Sequence, residues 1–342
     1  MWIARFACLF IALWLAGCAP VGPEPVLDEG FVAPATLNLR NELGLRQPSV
    51  ATVHHGERVE ILAKRRRFVK VRTDSGAVGW VDGDLLFKPD QMEELRALGR
   101  TAAQMPSQGE ATVLDSLNVH TNPERQSPSF HQVREGERVT VVAHRLVAAV
   151  PRMEDWSLVG ISKTQAGWVL TRNLVMAIPD EVAQYAEGHR ITSYFSLGDV
   201  RDGDQVKHNW LWTTIAKGLE PYEFDSARLF VWSQRRRRYE TAYIEKKLKG
   251  YYPVEAHAEG LTPASFSLIV EENDGARYRR TYAFQGYHVR MIAKSPWHPP
   301  SEAAPTRGPS VTPAAQGKRP QQSYLARIKE GLAALRRRIF GR

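Results

Sequence analysis

Gly56-Glu57-Arg58-Val59 recurs as Gly136-Glu137-Arg138-Val139. Two further matches keep their order around it. Leu37-Asn38-Leu39 precedes the first copy and Leu117-Asn118-Val119 the second, both at an offset of 80 residues. Gly79-Trp80-Val81 follows the first and Gly167-Trp168-Val169 the second, at an offset of 88. An ordered set of matches at a near-constant spacing marks a duplicated unit. The eight extra residues of the second copy fit a longer loop over residues 145–155.

Each copy reads as β. Leu37 and Leu39 alternate with polar Asn38 and Arg40. The Gly56-Glu57-Arg58 turn launches Val59, Ile61 and Ala63, and a further strand carries Phe68, Val69 and Val71. Asp74-Ser75-Gly76 is a tight turn before Gly79-Trp80-Val81. Short strands separated by regularly spaced turns predict a small barrel. This ordered set resembles the bacterial SH3 domain, twice over, across residues 33–175. The second copy departs at His120, where that family usually has Arg, and uses Trp156-Ser157-Leu158-Val159 as its central strand. The resemblance implies binding of cell-wall peptidoglycan or its stem peptides. Trp80, Phe68, Trp168 and Trp156 are then the candidate ligand-binding aromatics, since such rings give large contact area at low entropy cost. The alternative is that all four pack within their barrels.

Outward from the repeat, residues 88–105 place Met92, Leu95 and Leu98 at helical spacing, a short amphipathic helix joining the copies. Residues 178–188 also read as helical. Candidate strands follow at 191–195, 207–215, 227–233, 239–245, 252–256, 265–271, 276–284 and 288–292, predicting a compact antiparallel domain. Residues 295–322 are rich in Pro, Ala, Ser and Gly and read as a linker. In residues 323–342, Leu325, Ile328, Leu332, Leu335 and Ile339 fall at steps of three and four, with Arg336, Arg337 and Arg338 on other faces. That is a basic amphipathic helix suited to anionic lipid head groups.

Met1 to Arg5 carries one positive charge, and an apolar run over residues 6–14 and Leu15-Ala16-Gly17-Cys18 follow. The run is too short for a permanent span. This start resembles the bacterial lipoproteins, whose lipobox has that form. The resemblance implies cleavage before Cys18, acylation of Cys18 and anchoring in membrane lipid. Ala19 follows, where an Asp commonly retains such proteins in the inner membrane, so the periplasmic face of the outer membrane is the expected location.

The expected organisation is all-β: a signal peptide (1–17), a lipidated tether (18–32) and two SH3-like barrels (33–88 and 111–177) joined by a helical linker (89–110). A third β domain (178–294), the linker (295–322) and the basic helix (323–342) complete it.

Charge and cysteines bound the chemistry. The formal net charge is +9, and residues 301–342 carry nine Lys or Arg against two acidic residues. The folded body is thus nearly neutral and gives no argument for nucleic acid. Cys8 and Cys18 are the only cysteines, so a mature lipoprotein has no free thiol and no disulfide. The ten histidines show no metal-ligand spacing. No Gly-x-Ser-x-Gly is present, and neither Glu240 with Glu245 nor Glu271-Glu272 specifies a catalytic pair. Arg235 to Arg238 forms a run of four arginines that suits either a phosphate or carboxylate polymer or a solvated hairpin loop. No catalytic residue, cofactor or metal is expected. The expected function is non-catalytic binding of peptidoglycan or an envelope protein. The alternatives are a hydrolase whose third domain is catalytic, and a scaffold lipoprotein that recruits other proteins.

Overall fold

A computed structural model describes residues 24–44, 46–149, 152–216, 218–258 and 263–299. The lipobox with Cys18 and the basic helix with Arg336, Arg337 and Arg338 lie outside those residues.

Seven strands make the first sheet: β1 (Asp28–Val32), β2 (Thr36–Arg40), β3 (Ser49–His54), β4 (Arg58–Arg65), β5 (Phe68–Thr73), β6 (Val78–Asp82) and β7 (Leu86–Phe87). Their order is β3-β2-β6-β5-β4-β1-β7, with a 3₁₀ turn (Gly83–Leu85) before β7. Alternation puts Leu37, Leu39, Val59, Val69, Val71 and Val81 in one core. The recurrent turn has a local cause. Gly56 sits at φ +81° and Gly136 at +79°, which glycine adopts without steric penalty. The carboxylate of Glu57 accepts the His54 amide at 3.0 Å, and Glu137 accepts the Arg134 amide at 3.0 Å.

The tether reading is corrected at its end. Asp28–Val32 is a barrel strand that pairs with β4 and β7, and Val32 is fully buried. Phe31-Val32 closes the sheet, so the domain begins before residue 33.

The second sheet contains β8 (Glu110–Val113), β9 (Leu117–His120), β10 (Ser129–Val133), β11 (Arg138–Val147), β12 (Glu154–Gly160), β13 (Ala166–Leu170) and β14 (Leu174–Met176). Its order, β10-β9-β13-β12-β11-β8-β14, repeats that of the first. The extra residues are not all loop, because β11 runs on to Val147 and pairs with β12 through Val147↔Glu154.

Helix α1 (Pro89–Gln104) starts with Pro at its first position, where the missing N–H is harmless, and the Gln91 side chain accepts the Lys88 amide at 3.0 Å. It is more than a linker. Met92 and Leu95 pack with Ala33, with Phe87 of the first sheet and with Val119 and Phe130 of the second.

Helix α2 (Asp180–Ala183) and a 3₁₀ turn (Gln184–Ala186) lead into a seven-stranded antiparallel meander. Its strands are β15 (Arg190–Asp202), β16 (Gln205–Ile215), β17 (Phe224–Ser233), β18 (Arg238–His257), β19 (Ala264–Glu271), β20 (Arg277–Gln285) and β21 (His288–Pro296). The strands expected at 239–245 and 252–256 are one strand, β18, which stays paired by a bulge where Lys247 takes φ +60°. Ser295 and Pro296, placed in the linker by composition, belong to β21. One face of the meander buries Leu211, Leu229, Phe266 and Leu268; the other buries Trp212, Phe230 and Tyr239 under Ile178 and Val182.

Candidate functional site

The two Gly-Trp motifs place their rings on the same side of their sheets. A Cβ on Gly79 would lie 2.7 Å from the Leu39 Cβ, and one on Gly167 would lie 2.5 Å from Val119 Cγ1. Only glycine lets β2 approach β6, and β9 approach β13, this closely. The glycines therefore face the barrel cores, and Trp80 and Trp168, one residue on, point away from them. Neither ring fills its own barrel.

The two outer faces then diverge. In the second sheet, Trp168 and Trp156 are 6% and 1% exposed. They pack with Val142, Leu158 and Ala166 against Leu98 and Ala102 of α1. The helix lies close because Gly99 has no side chain: a Cβ there would stand 2.2 Å from the Thr164 carbonyl oxygen. Arg145 lies 5.1 Å over the Trp168 ring, and His120 meets Trp156 edge-on at 5.5 Å. The ligand-binding reading of Trp156 and Trp168 is corrected, since α1 already occupies their face.

In the first sheet the same positions remain half-exposed. Phe68 and Trp80 match Trp156 and Trp168 at the 88-residue offset, Lys70 stands for Leu158, and Val78 for Ala166. Trp80 lies between Arg40 of β2 and Lys70 of β5 in the strand register. Lys70 Nζ bonds both carboxylate oxygens of Glu24, at 2.6 and 2.8 Å. The Arg67 guanidinium lies 5.0 Å over the Phe68 ring. Aromatic surface edged by cations suits a ligand with a carboxylate and an apolar or sugar body.

Sequence reasoning missed a second constellation, where the second sheet meets the meander. His144 (β11) bonds the Asp155 carboxylate (β12) through Nε2, and its Nδ1 lies 3.6 Å from Glu223. Arg190 and the Thr171 hydroxyl both donate to the Asp155 carboxylate, at 3.0 and 2.7 Å. Burial disfavours a charged His144, but hydrogen bonds to Asp155 and Glu223 outweigh it and raise its pKa from 6.5 to about 9. Burial likewise opposes the Asp155 charge, yet the bonded His144 holds this carboxyl below its usual range. Ser157 bonds Thr171 at 2.9 Å and reaches the imidazole only through Thr171 and Asp155. The enclosed space beside these groups is about 30 Å³, room for about one water. Two cations and two carboxylates balance here, and the arrangement acts as a junction between domains. Among the described residues, no group of three or more His, Cys, Asp or Glu is placed to hold a metal ion.

Arg235, Arg236 and Arg237 lie in the β17–β18 hairpin turn, and Arg238 opens β18 opposite Ser233. Arg236 pairs with Glu240 at 2.7 Å.

A profile of the bacterial SH3 domain matches residues 35–87. The chain carries a bacterial SH3 domain there. The match covers the strands that present Phe68 and Trp80, and it stops short of β1, which the structure adds to the barrel. No curated protein matches the chain. Solved structures with partial likeness include an NlpC/P60 family protein from Bacillus cereus (10% identity, covering 64% of this chain and 94% of that one, TM-score 0.22). NlpC1 (12% identity, 79% and 92% covered, TM-score 0.18) and NlpC2 (11%, 80% and 97%, 0.17) from Trichomonas vaginalis are others. At these scores the likenesses carry no functional argument.

Proposed function

We propose that the protein is a non-catalytic binding module of the cell envelope, anchored through acylated Cys18 at the periplasmic face of the outer membrane. Its SH3 domain engages peptidoglycan or its stem peptides. The ligand lies on the outer face of the first barrel, against Trp80 and Phe68, with Lys70 exchanging Glu24 for a ligand carboxylate and Arg40 beside it.

The asymmetry of the two barrels carries this reading. One Gly-Trp face is filled by α1, and its counterpart is half-exposed and edged with Lys and Arg. The second barrel then serves as the platform that fixes the first. The basic residues of the tail, Arg336, Arg337 and Arg338, add contact with anionic head groups. Because Cys18 already holds the chain at the membrane, even a weak contact there is amplified by effective concentration.

The test is co-sedimentation of the full chain carrying Cys18→Ser with purified peptidoglycan. Saturable binding is expected, and Trp80→Ala weakens it about tenfold or more with an unchanged melting temperature. Retention of full binding by Trp80→Ala together with Phe68→Ala rejects the face. Failure of the unsubstituted face to bind at moderate salt rejects peptidoglycan as the ligand.

A further inference from the structure

We propose that the third domain holds a second ligand site, a cleft that takes a short zwitterionic ligand of the peptide class, with a carboxylate at one end and an amine at the other.

The cleft encloses about 670 Å³, within the range of small-molecule sites. Its floor is aromatic. Trp232 meets Tyr239 edge-on at 5.0 Å. Its lips are two hairpin turns of opposite charge. The β15–β16 hairpin brings Asp202 and Asp204, and the β17–β18 hairpin brings Arg237 and Arg238.

Most charges around the cleft are already matched. Lys207 donates to both oxygens of Glu181, at 3.0 and 2.9 Å, and lies 4.8 Å over Trp232. Asp202 accepts the Trp232 indole N–H at 2.9 Å. Arg238 stands 3.8 Å from Glu240. Two side chains are left. Neither Asp204 nor Arg237 has an ion pair or side-chain hydrogen bond among the described residues. They face the same cleft from opposite lips.

Arg237 is also held at φ +51°, a region that favours glycine. An unmatched cation and an unmatched carboxylate across an aromatic floor complement a ligand that carries both charges. The run of arginines thus brings Arg237 and Arg238 to the cleft and leaves Arg235 and Arg236 on the solvated turn. The site is separate from the face at Trp80.

The probe is the tripeptide Ala-Gln-Ala with free ends, compared with its N-acetylated and C-amidated forms. Binding is followed by calorimetry and tryptophan fluorescence on the full Cys18→Ser chain. The free tripeptide binds saturably, and either blocked form binds about tenfold or more weakly. Arg237→Glu removes binding while Arg237→Lys keeps most of it, with equal melting temperatures. Trp80→Ala leaves binding unchanged, which separates this site from the SH3 face. No saturable binding by the free tripeptide overturns the proposal. So does equal binding of the blocked forms, or indifference to Arg237→Glu.

Discussion

Gln108 and Val254 exchange two hydrogen bonds across 146 positions of sequence. The Gln108 amide nitrogen donates to the Val254 carbonyl at 3.2 Å, and the Val254 N–H donates to the Gln108 oxygen at 3.0 Å. Gln108 is fully buried. Val254 lies where the β18–β19 register slips between Tyr251 and Glu255, so its backbone lacks a strand partner there. The side-chain amide supplies one, and in doing so ties the meander to the segment before β8. Gln108→Leu keeps the volume but leaves a buried N–H and C=O unpaired, at about 1–3 kcal/mol each. The expected outcome is an earlier unfolding transition and faster proteolysis between the second sheet and the meander. An unchanged melting curve would mean that water replaces the amide.

Exchanging Lys70 and Leu158 tests the divergence of the two faces. Leu158→Lys buries an ammonium among the apolar side chains of Trp156, Trp168 and Ala102. Burial without pairing makes this a severe change, about 3 kcal/mol or more. Lys70→Leu loses only the exposed pair with Glu24, worth about 0–1 kcal/mol. Chemical denaturation of the two variants should therefore give a large and a small loss. Equal losses would contradict the assignment of one covered and one open face.

Gly99 decides how near α1 comes. By propensity alone, Gly99→Ala should stabilise the helix by about 1 kcal/mol. The added Cβ would meet the Thr164 carbonyl oxygen at 2.2 Å, and that atom is backbone, so the loop or the helix must shift. We expect a net loss of about 1–3 kcal/mol, with Trp156 and Trp168 fluorescence shifted by entry of water. A gain in melting temperature would show that the helix can move away freely.

These contacts explain what the sequence discloses and what it conceals. The Gly-Glu turn is legible because its cause is local: one positive φ and one carboxylate three residues from an amide. The Gly-Trp pairs announce a strand, but the fate of the rings depends on α1, which lies outside either motif. Leu158 in place of Lys70 was the available signal, since an apolar residue beside two tryptophans marks a covered face. Strand β1 was hidden by the prolines before it. In β18, Lys246, Lys247 and Gly250 read as a break, whereas the bulge at Lys247 carries the strand through. The junction around His144 was illegible because its members, at 144, 155, 190 and 223, come together only through tertiary packing.

That junction makes stability depend on pH in a defined direction. The folded pKa of His144 lies near 9 against 6.5 for the free side chain, so the folded state binds the proton more tightly. The contribution is complete below about pH 6.5, declines above it and is lost as pH rises through about 9, on the order of 3 kcal/mol in all. Asp155 acts in the opposite sense. Its depressed pKa contributes stability above 3.8 that is lost as pH falls through the folded value. The measurement is melting temperature across this alkaline range for the parent chain and for His144→Gln, whose amide stays neutral. The parent should lose stability steeply towards pH 9 while the variant, less stable at neutral pH, runs nearly flat over the same interval. Parallel curves would show that His144 is not the titrating group and that its bonds to Asp155 and Glu223 do not govern the junction.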